Sequence, residues 1–290
     1  MTVPDPAGPP LPSCVRHPDR PTGLSCVRCG RPACPECLRD APVGRQCVDC
    51  VRAGRQGVRR GRTVAGAEPR RPDRRPVVVL TLTALNVAVF VLTAVQAGSV
   101  GSNERAALFR EWVLVPGLVW GGDWWRPITG GFLHYGPLHL VFNMMALWVL
   151  GRELEPVLGR SRFLAVYLVS LLGGSAAVML FSPANSLVAG ASGAVFGLMG
   201  ALFVIARRLR APMGQIVGLV AVNLVISVVV PGISIVGHLG GLVVGAAATA
   251  ALVHVPPVRN RTALQASALA VLTLVVLAVI ATRAAAVSLA

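Results

Sequence analysis

Two groups of residues in this 290-residue chain have the types and spacing to do chemistry. The first is spread over three apolar stretches: Ser192 in "VAGASGAVFGLMG", His238 in "IVGHLGGLVVG", and His139 with Asn143 in "GFLHYGPLHLVFN". A serine hydroxyl becomes a strong nucleophile only when a base within about 2.6–3.2 Å takes its proton, and histidine is the usual base near neutral pH. His139 and Asn143 stand four apart, on one helix face. Both can donate to a developing oxyanion, with the Ser192 backbone N–H as a third donor and His134 a turn and a half earlier. That set of groups is suited to acyl transfer. Residues 156–290 contain no Asp or Glu, so no carboxylate from that half can orient His238, and a dyad rather than a triad is expected.

The second group is C-x2-H-x8-C-x2-C-x4-C-x2-C-x9-C-x2-C, made of Cys14, His17, Cys26, Cys29, Cys34, Cys37, Cys47 and Cys50. Seven cysteines cannot all pair as disulfides, but with one histidine they supply two four-ligand sets. Two structural Zn²⁺ ions are therefore expected, in a segment with too few large apolar side chains to fold on a core of its own. No cofactor is expected for the serine chemistry.

Positioning falls to the apolar stretches. The chain is 54% apolar and 13% charged, with a formal net charge of +15, the composition of a membrane protein rather than a soluble one. Runs long enough to span a bilayer lie near 77–97, 129–151, 162–181, 187–206, 213–231, 233–254 and 264–282. The fourth and sixth are Gly/Ala-rich, suited to interior helices. Gly190, Gly193, Gly197 and Gly200 in one, and Gly237, Gly241 and Gly245 in the other, form small-residue faces that let two backbones approach and bring Ser192 toward His238. Both residues are expected about five residues below the outer ends of their spans, roughly 8 Å deep. An ionisable group inside a span is by default a functional candidate. Residues 1–76 carry 15 arginines against 7 acids and no apolar run, so the first inserting segment begins near Val77. The arginine distribution places the N-terminus in the cytoplasm and the active site toward the outer face. Nucleic acid is an unfavoured partner of the basic 55–76 stretch, since no aromatics interleave to stack bases; orientation and contact with anionic lipid account for it.

"WWRPITGGFLHYGPLHLVFN", "GRELEPVLG", "GASGAVFGLMG" and "VGHLGG" together resemble the rhomboid family of intramembrane serine proteases, over essentially residues 77–290. The resemblance implies a six-helix core, here followed by a seventh C-terminal helix, in an all-α polytopic membrane protein of the bacterial plasma membrane. It assigns Ser192 as nucleophile and His238 as general base. It gives oxyanion stabilisation to His139, Asn143 and the Ser192 backbone, with Gly190 keeping that loop open. Trp125 and Arg126 fall in a first external loop and Glu155 in a cytoplasmic turn. Two positions depart from the pattern: Phe196 stands where many bacterial relatives have tyrosine, and Gly237 where alanine is common. Expected partners are the bilayer and transmembrane protein substrates.

The cysteine segment, residues 1–54, resembles a B-box-like or RING-like double zinc finger, of a type expected in actinobacterial members. That resemblance implies interleaved pairing, Cys14, His17, Cys34 and Cys37 on one ion and Cys26, Cys29, Cys47 and Cys50 on the other, with sequential pairing still open. Residues 55–76 read as an Arg/Pro/Gly-rich linker, and the finger as a module for a protein partner. Two competing readings are a catalytically silent rhomboid-like protein that binds membrane clients, and a transporter. The silent reading is disfavoured because both Ser192 and His238 are present; the transporter lacks charged residues in its spans and any evident inverted repeat.

Overall fold

In a computed structural model the described residues are 10–56, 61–69 and 75–288, with side chains described to residue 283. Part of the arginine cluster, residues 57–60 and 70–74, lies outside them. The chain divides into two compact units between residues 60 and 61.

The first unit contains two antiparallel strand pairs and a helix: β1 (Ser13–Cys14) with β2 (His17–Pro21), β3 (Leu38–Asp40) with β4 (Arg45–Cys47), then α1 (Val48–Gln56). Its interior is Cys14, Cys26, Ala33, Cys34, Cys37, Leu38 and Cys47. One leucine and one alanine among thiols are too little apolar surface to offset the chain entropy of ordering so many residues.

The second unit is helical throughout. Its long helices are α2 (Val77–Ala97), then, after short α3 (Ala107–Trp112), α4 (Pro116–Trp120) and α5 (Arg126–Thr129), α6 (Gly136–Leu158), α7 (Arg160–Phe181), α8 (Ser192–Leu209), α9 (Gly214–Val229), α10 (Ile235–Val253) and α11 (Arg261–Ser288). Five of these are long and apolar enough to cross a membrane, and a sixth span results if the stretch Arg126–Phe132 and α6, bent by 95° to one another, are taken as one. The remaining apolar helix, α9, has 16 residues, about 24 Å of rise against a hydrocarbon core of about 30 Å. It ends where Pro231 and Gly232, the latter at φ +83°, cannot continue it.

The most enclosed helix is α7, whose span is 72% buried, followed by α8 at 61%, while α2 and α11 at 33% and 22% form the periphery. The sequence pattern singled out the fourth and sixth spans as interior, and the centrality of the third, with Gly173, Gly174 and Ser175 midway along it, adds to that expectation. α8 and α10 meet backbone to backbone. A Cβ on Gly241 would collide with the Gly193 carbonyl, and one on Gly245 with the backbone of Gly197.

Three expectations need correction. The fourth span does not begin at residue 187: Val188 pairs with Leu114 in an isolated antiparallel bridge (N···O 2.9 and 3.1 Å), and the Gly190 N–H goes to the Gly130 carbonyl at 3.0 Å. Those N–H groups are spent on neighbouring loops, so α8 starts at Ser192, and the serine sits at the helix end rather than five residues within it. The second span likewise does not run straight from residue 129; α6 begins at Gly136, which places His134 before the bend and off the helix that carries His139. Finally, part of the 55–76 stretch is not a free linker. Thr63 Oγ1 donates to the Val157 carbonyl at 2.6 Å, and Arg261 and Gln265 of α11 donate to the carbonyls of Val64 and Ala65, so residues 61–67 are built into the helical unit.

Candidate active site

Ser192 is the first residue of α8, so the backbone N–H groups of Ser192, Gly193 and Ala194 have no carbonyl one turn back to bond. They add the positive end of the helix dipole at the serine. Phe196, one turn further on, stacks its ring on His238 of α10 at 4.0 Å between centroids and 16° between planes. Both Ser192 and His238 line a cavity of about 900 Å³ bounded by α6, α8 and α9, which also exposes His139 and Asn143. A second, narrow cavity of about 30 Å³ lies behind the serine among Gly130, Ser175, Gly190 and Ser234, room enough for a water molecule. Among the described residues no hydrogen bond joins Ser192 Oγ to His238; apo sites often tighten this contact only when substrate arrives. The imidazole instead has its Nδ1 2.6 Å from the Ser227 hydroxyl of α9.

His139 faces the serine from the first turn of α6. The Tyr135 backbone N–H donates to its Nδ1 at 3.2 Å, so Nδ1 is unprotonated there and the ring proton is on Nε2. The Nε2 edge lies against Gly190: a Cβ built there would lie 2.9 Å from Nε2 and 3.6 Å from Ser192 Oγ. Gly190 also has φ +129°, which a side chain would strain. Asn143 uses one amide N–H on the His139 carbonyl at 2.9 Å, and its amide group has a second N–H to offer toward the cavity.

His134 is fully buried, edge-on to His139 at 5.1 Å, with neither ring nitrogen hydrogen-bonded. Arg126 is 6% exposed and holds the loop together: it donates to the carbonyls of Arg110 and Val113 at the end of α3, at 2.8 and 2.9 Å, and pairs with Asp123 at 2.7 Å. Trp125 is half exposed, and its indole N–H donates to the Glu111 carbonyl. Glu155, fully buried, accepts from the N–H groups of Val78 and Val79 at 3.0 and 3.1 Å, capping α2 from a different helix.

The family profile described as Rhomboid domain matches residues 121–255. The chain is 37% identical over 183 residues to the rhomboid protease GluP of Bacillus subtilis, covering 61% of this chain and 35% of that one. It is 36% identical over 174 residues to YdcA of the same organism, covering 58% of this chain and 83% of that one. It is also 30% identical over 209 residues to the rhomboid protease AarA of Providencia stuartii, covering 62% and 73%. The chain belongs to the rhomboid family. It is a multi-pass membrane protein.

The rhomboid unit contains two polar residues near the site that the sequence reading did not single out. Asn103 is fully buried and donates to the His134 carbonyl at 2.7 Å and to Thr93 while accepting from the Gly136 N–H, so it pins the entry of α6 to α2. An asparagine in the polar loop "GSVGSNER" looks like turn composition, and only burial reveals it. Ser227 is the other; as one hydroxyl in an apolar run it reads as ordinary back-bonding to the helix.

In the first unit the eight candidate ligands fall into two clusters, Cys14, His17, Cys34 and Cys37, and Cys26, Cys29, Cys47 and Cys50, with donor atoms in each all within 4.8 Å of one another. This is the interleaved grouping. His17 Nδ1 is 3.4 Å from the sulfurs of both Cys34 and Cys37, close to the edge of a tetrahedron with about 2.0–2.3 Å bonds to a central ion. The thiols do not titrate alike: the Cys34 backbone N–H draws Cys14 down to about 6, while burial pushes Cys37 up to about 11. Crowded sulfurs, three in this cluster and four in the other, resist ionising together, and a bound cation relieves that. The donor set, all thiol and imidazole, fits Zn²⁺.

Proposed function

We propose that this protein is a serine endopeptidase that cleaves transmembrane segments of other membrane proteins within the bilayer. The single observation that carries the reading is the convergence on one cavity of Ser192 at the N-terminus of α8, His238 stacked on Phe196, and His139 with its Nε2 edge against Gly190.

Ser192 Oγ attacks the scissile carbonyl as His238 Nε2 takes its proton. The oxyanion is met by His139 Nε2–H, the Asn143 amide and the Ser192 N–H, donors fixed before the charge develops. His238 then protonates the leaving amine, and water, stored in the small cavity, hydrolyses the acyl-serine with His238 again as base. A membrane-spanning helix has its peptide bonds hidden in its own ladder, so cleavage occurs where the substrate unwinds at the cavity mouth. The arginine distribution supports a cytoplasmic N-terminus and an outward-opening cavity, in a bacterial plasma membrane. The cysteine unit, residues 1–54, is proposed to hold two structural zinc ions and to serve as a docking module for a protein partner.

The test is cleavage of a model single-span substrate in liposomes. Ser192→Ala and His238→Ala are expected to lose activity by at least roughly 10³-fold with unchanged expression. Retained cleavage in either variant excludes the assignment.

A further inference from the structure

We propose that Ser227 is a positioning residue for His238, fixing the imidazole in the tautomer that leaves Nε2 free to act as the base. The inference rests on the Ser192–His238 reading above and supplies the orienting group that the absence of any carboxylate after Glu155 leaves open.

Ser227 is the only buried side chain of α9. Every apolar residue of that helix is partly or fully exposed, whereas this one hydroxyl is 4% exposed. Burying a hydroxyl costs free energy unless its bonds are made, and Ser227 makes two. Its Oγ lies 2.7 Å from the Asn223 carbonyl and 2.6 Å from His238 Nδ1. A hydroxyl has one proton. A carbonyl can only accept, so with the proton committed to Asn223 the oxygen offers a lone pair to His238. The Nδ1 that meets it at 2.6 Å must then bring its own hydrogen. His238 is thereby held as the Nδ1–H form, and its Nε2 lone pair is available to the Ser192 hydroxyl.

The opposite arrangement, with Ser227 donating to Nδ1, would leave the Asn223 carbonyl only its helical N–H, set two oxygens 2.7 Å apart with no hydrogen between them, and place the ring proton on Nε2. A histidine in that form cannot accept from Ser192. The Phe196 face stacked on the ring restrains its tilt but is blind to which nitrogen holds the proton, so tautomer choice is left to Ser227. After proton transfer the imidazolium keeps donating Nδ1–H to Ser227 Oγ; no proton moves on to the serine, whose own hydrogen stays on Oγ and is donated to the Asn223 carbonyl. The orienting chain runs from Asn223 C=O through Ser227 Oγ to His238 Nδ1, with the chemistry at Nε2.

Two measurements on the full-length protein test this. Long-range ¹H–¹⁵N correlation on ¹⁵N-histidine-labelled protein in detergent micelles reads the tautomer directly, with the His238→Ala variant assigning the resonance among the five histidines. Wild type, Ser192→Ala and Ser227→Thr are expected to show His238 protonated at Nδ1, and Ser227→Ala to lose that signature. In cleavage assays Ser227→Ala is expected to lower kcat by about tenfold or more, the worth of one neutral hydrogen bond, with KM within about twofold. Ser227→Thr, which keeps the hydroxyl, should restore kcat. A wild-type His238 protonated at Nε2, or a Ser227→Ala enzyme with unchanged tautomer and kcat, overturns the proposal even when Ser192→Ala is inactive. Cleavage by Ser192→Ala overturns the dyad instead, and the tautomer measurement reads independently of it.

Discussion

At Gly190 one methyl group would fill the space beside His139 that the proposed oxyanion site needs open. The added Cβ would sit 2.8 Å from His139 Cε1 on a backbone at φ +129°, a conformation that costs a non-glycine residue about 1–3 kcal/mol. Gly190→Ala is expected to lower kcat by more than tenfold while the protein remains folded, read by cleavage kinetics beside a thermal melt. Glu155 is the counterpart for stability. Glu155→Ala would orphan the N–H groups of Val78 and Val79, costing about 1–3 kcal/mol each; Glu155→Gln retains an acceptor oxygen and should lose less. The measurement is the thermal midpoint of each variant in one detergent. These residues were legible to different degrees. His238 stands out because an ionisable side chain in an apolar run is rare, and Ser192 because of its glycine motif, whereas Asn103 and Ser227 blend into loop and helix composition until their burial is known.

Among the helices, α8 and α10 form the close pair on which the site depends. Since a Cβ at Gly241 meets the carbonyl of Gly193, the residue after the proposed nucleophile, Gly241→Ala must push the two helices apart. Overpacking of this kind costs about 1–3 kcal/mol. It is expected to reduce activity more than Gly218→Ala on α9, where a Cβ meets open space, a comparison made in one cleavage assay. Helix bounds were read well where apolarity alone decides them, as for Val77–Ala97. They were misread at 187, where Val188 and Gly190 spend their N–H groups on distant loop carbonyls, and at 129, where the chain bends by 95° and the Gly136 N–H goes to Asn103, long-range choices invisible to hydropathy.

For the whole molecule, the helical unit is held by apolar helix packing, and the cysteine unit, whose apolar interior is small, is proposed to be held by metal on its thiols. Purification without chelator is expected to yield about two zinc equivalents per chain, measured by metal analysis. The clusters also predict a difference between double variants: Cys14→Ser with Cys34→Ser should retain about one ion, and Cys14→Ser with Cys26→Ser none. Sequential pairing would give the reverse.

From its sequence alone, the chain determines that it is a polytopic membrane protein with a cysteine-rich N-terminal unit, because hydrophobic run length and thiol spacing are local quantities. Its motifs likewise suffice to place it among rhomboids. Tertiary structure decided what locality cannot: that Ser192 begins its helix, that His139 presents Nε2–H because a backbone amide occupies Nδ1, and that Ser227 from a third helix reaches His238. Each of these depends on which groups become neighbours once the helices pack, and hydrogen bonds inside an apolar interior fix those neighbours by leaving no polar atom an inexpensive alternative.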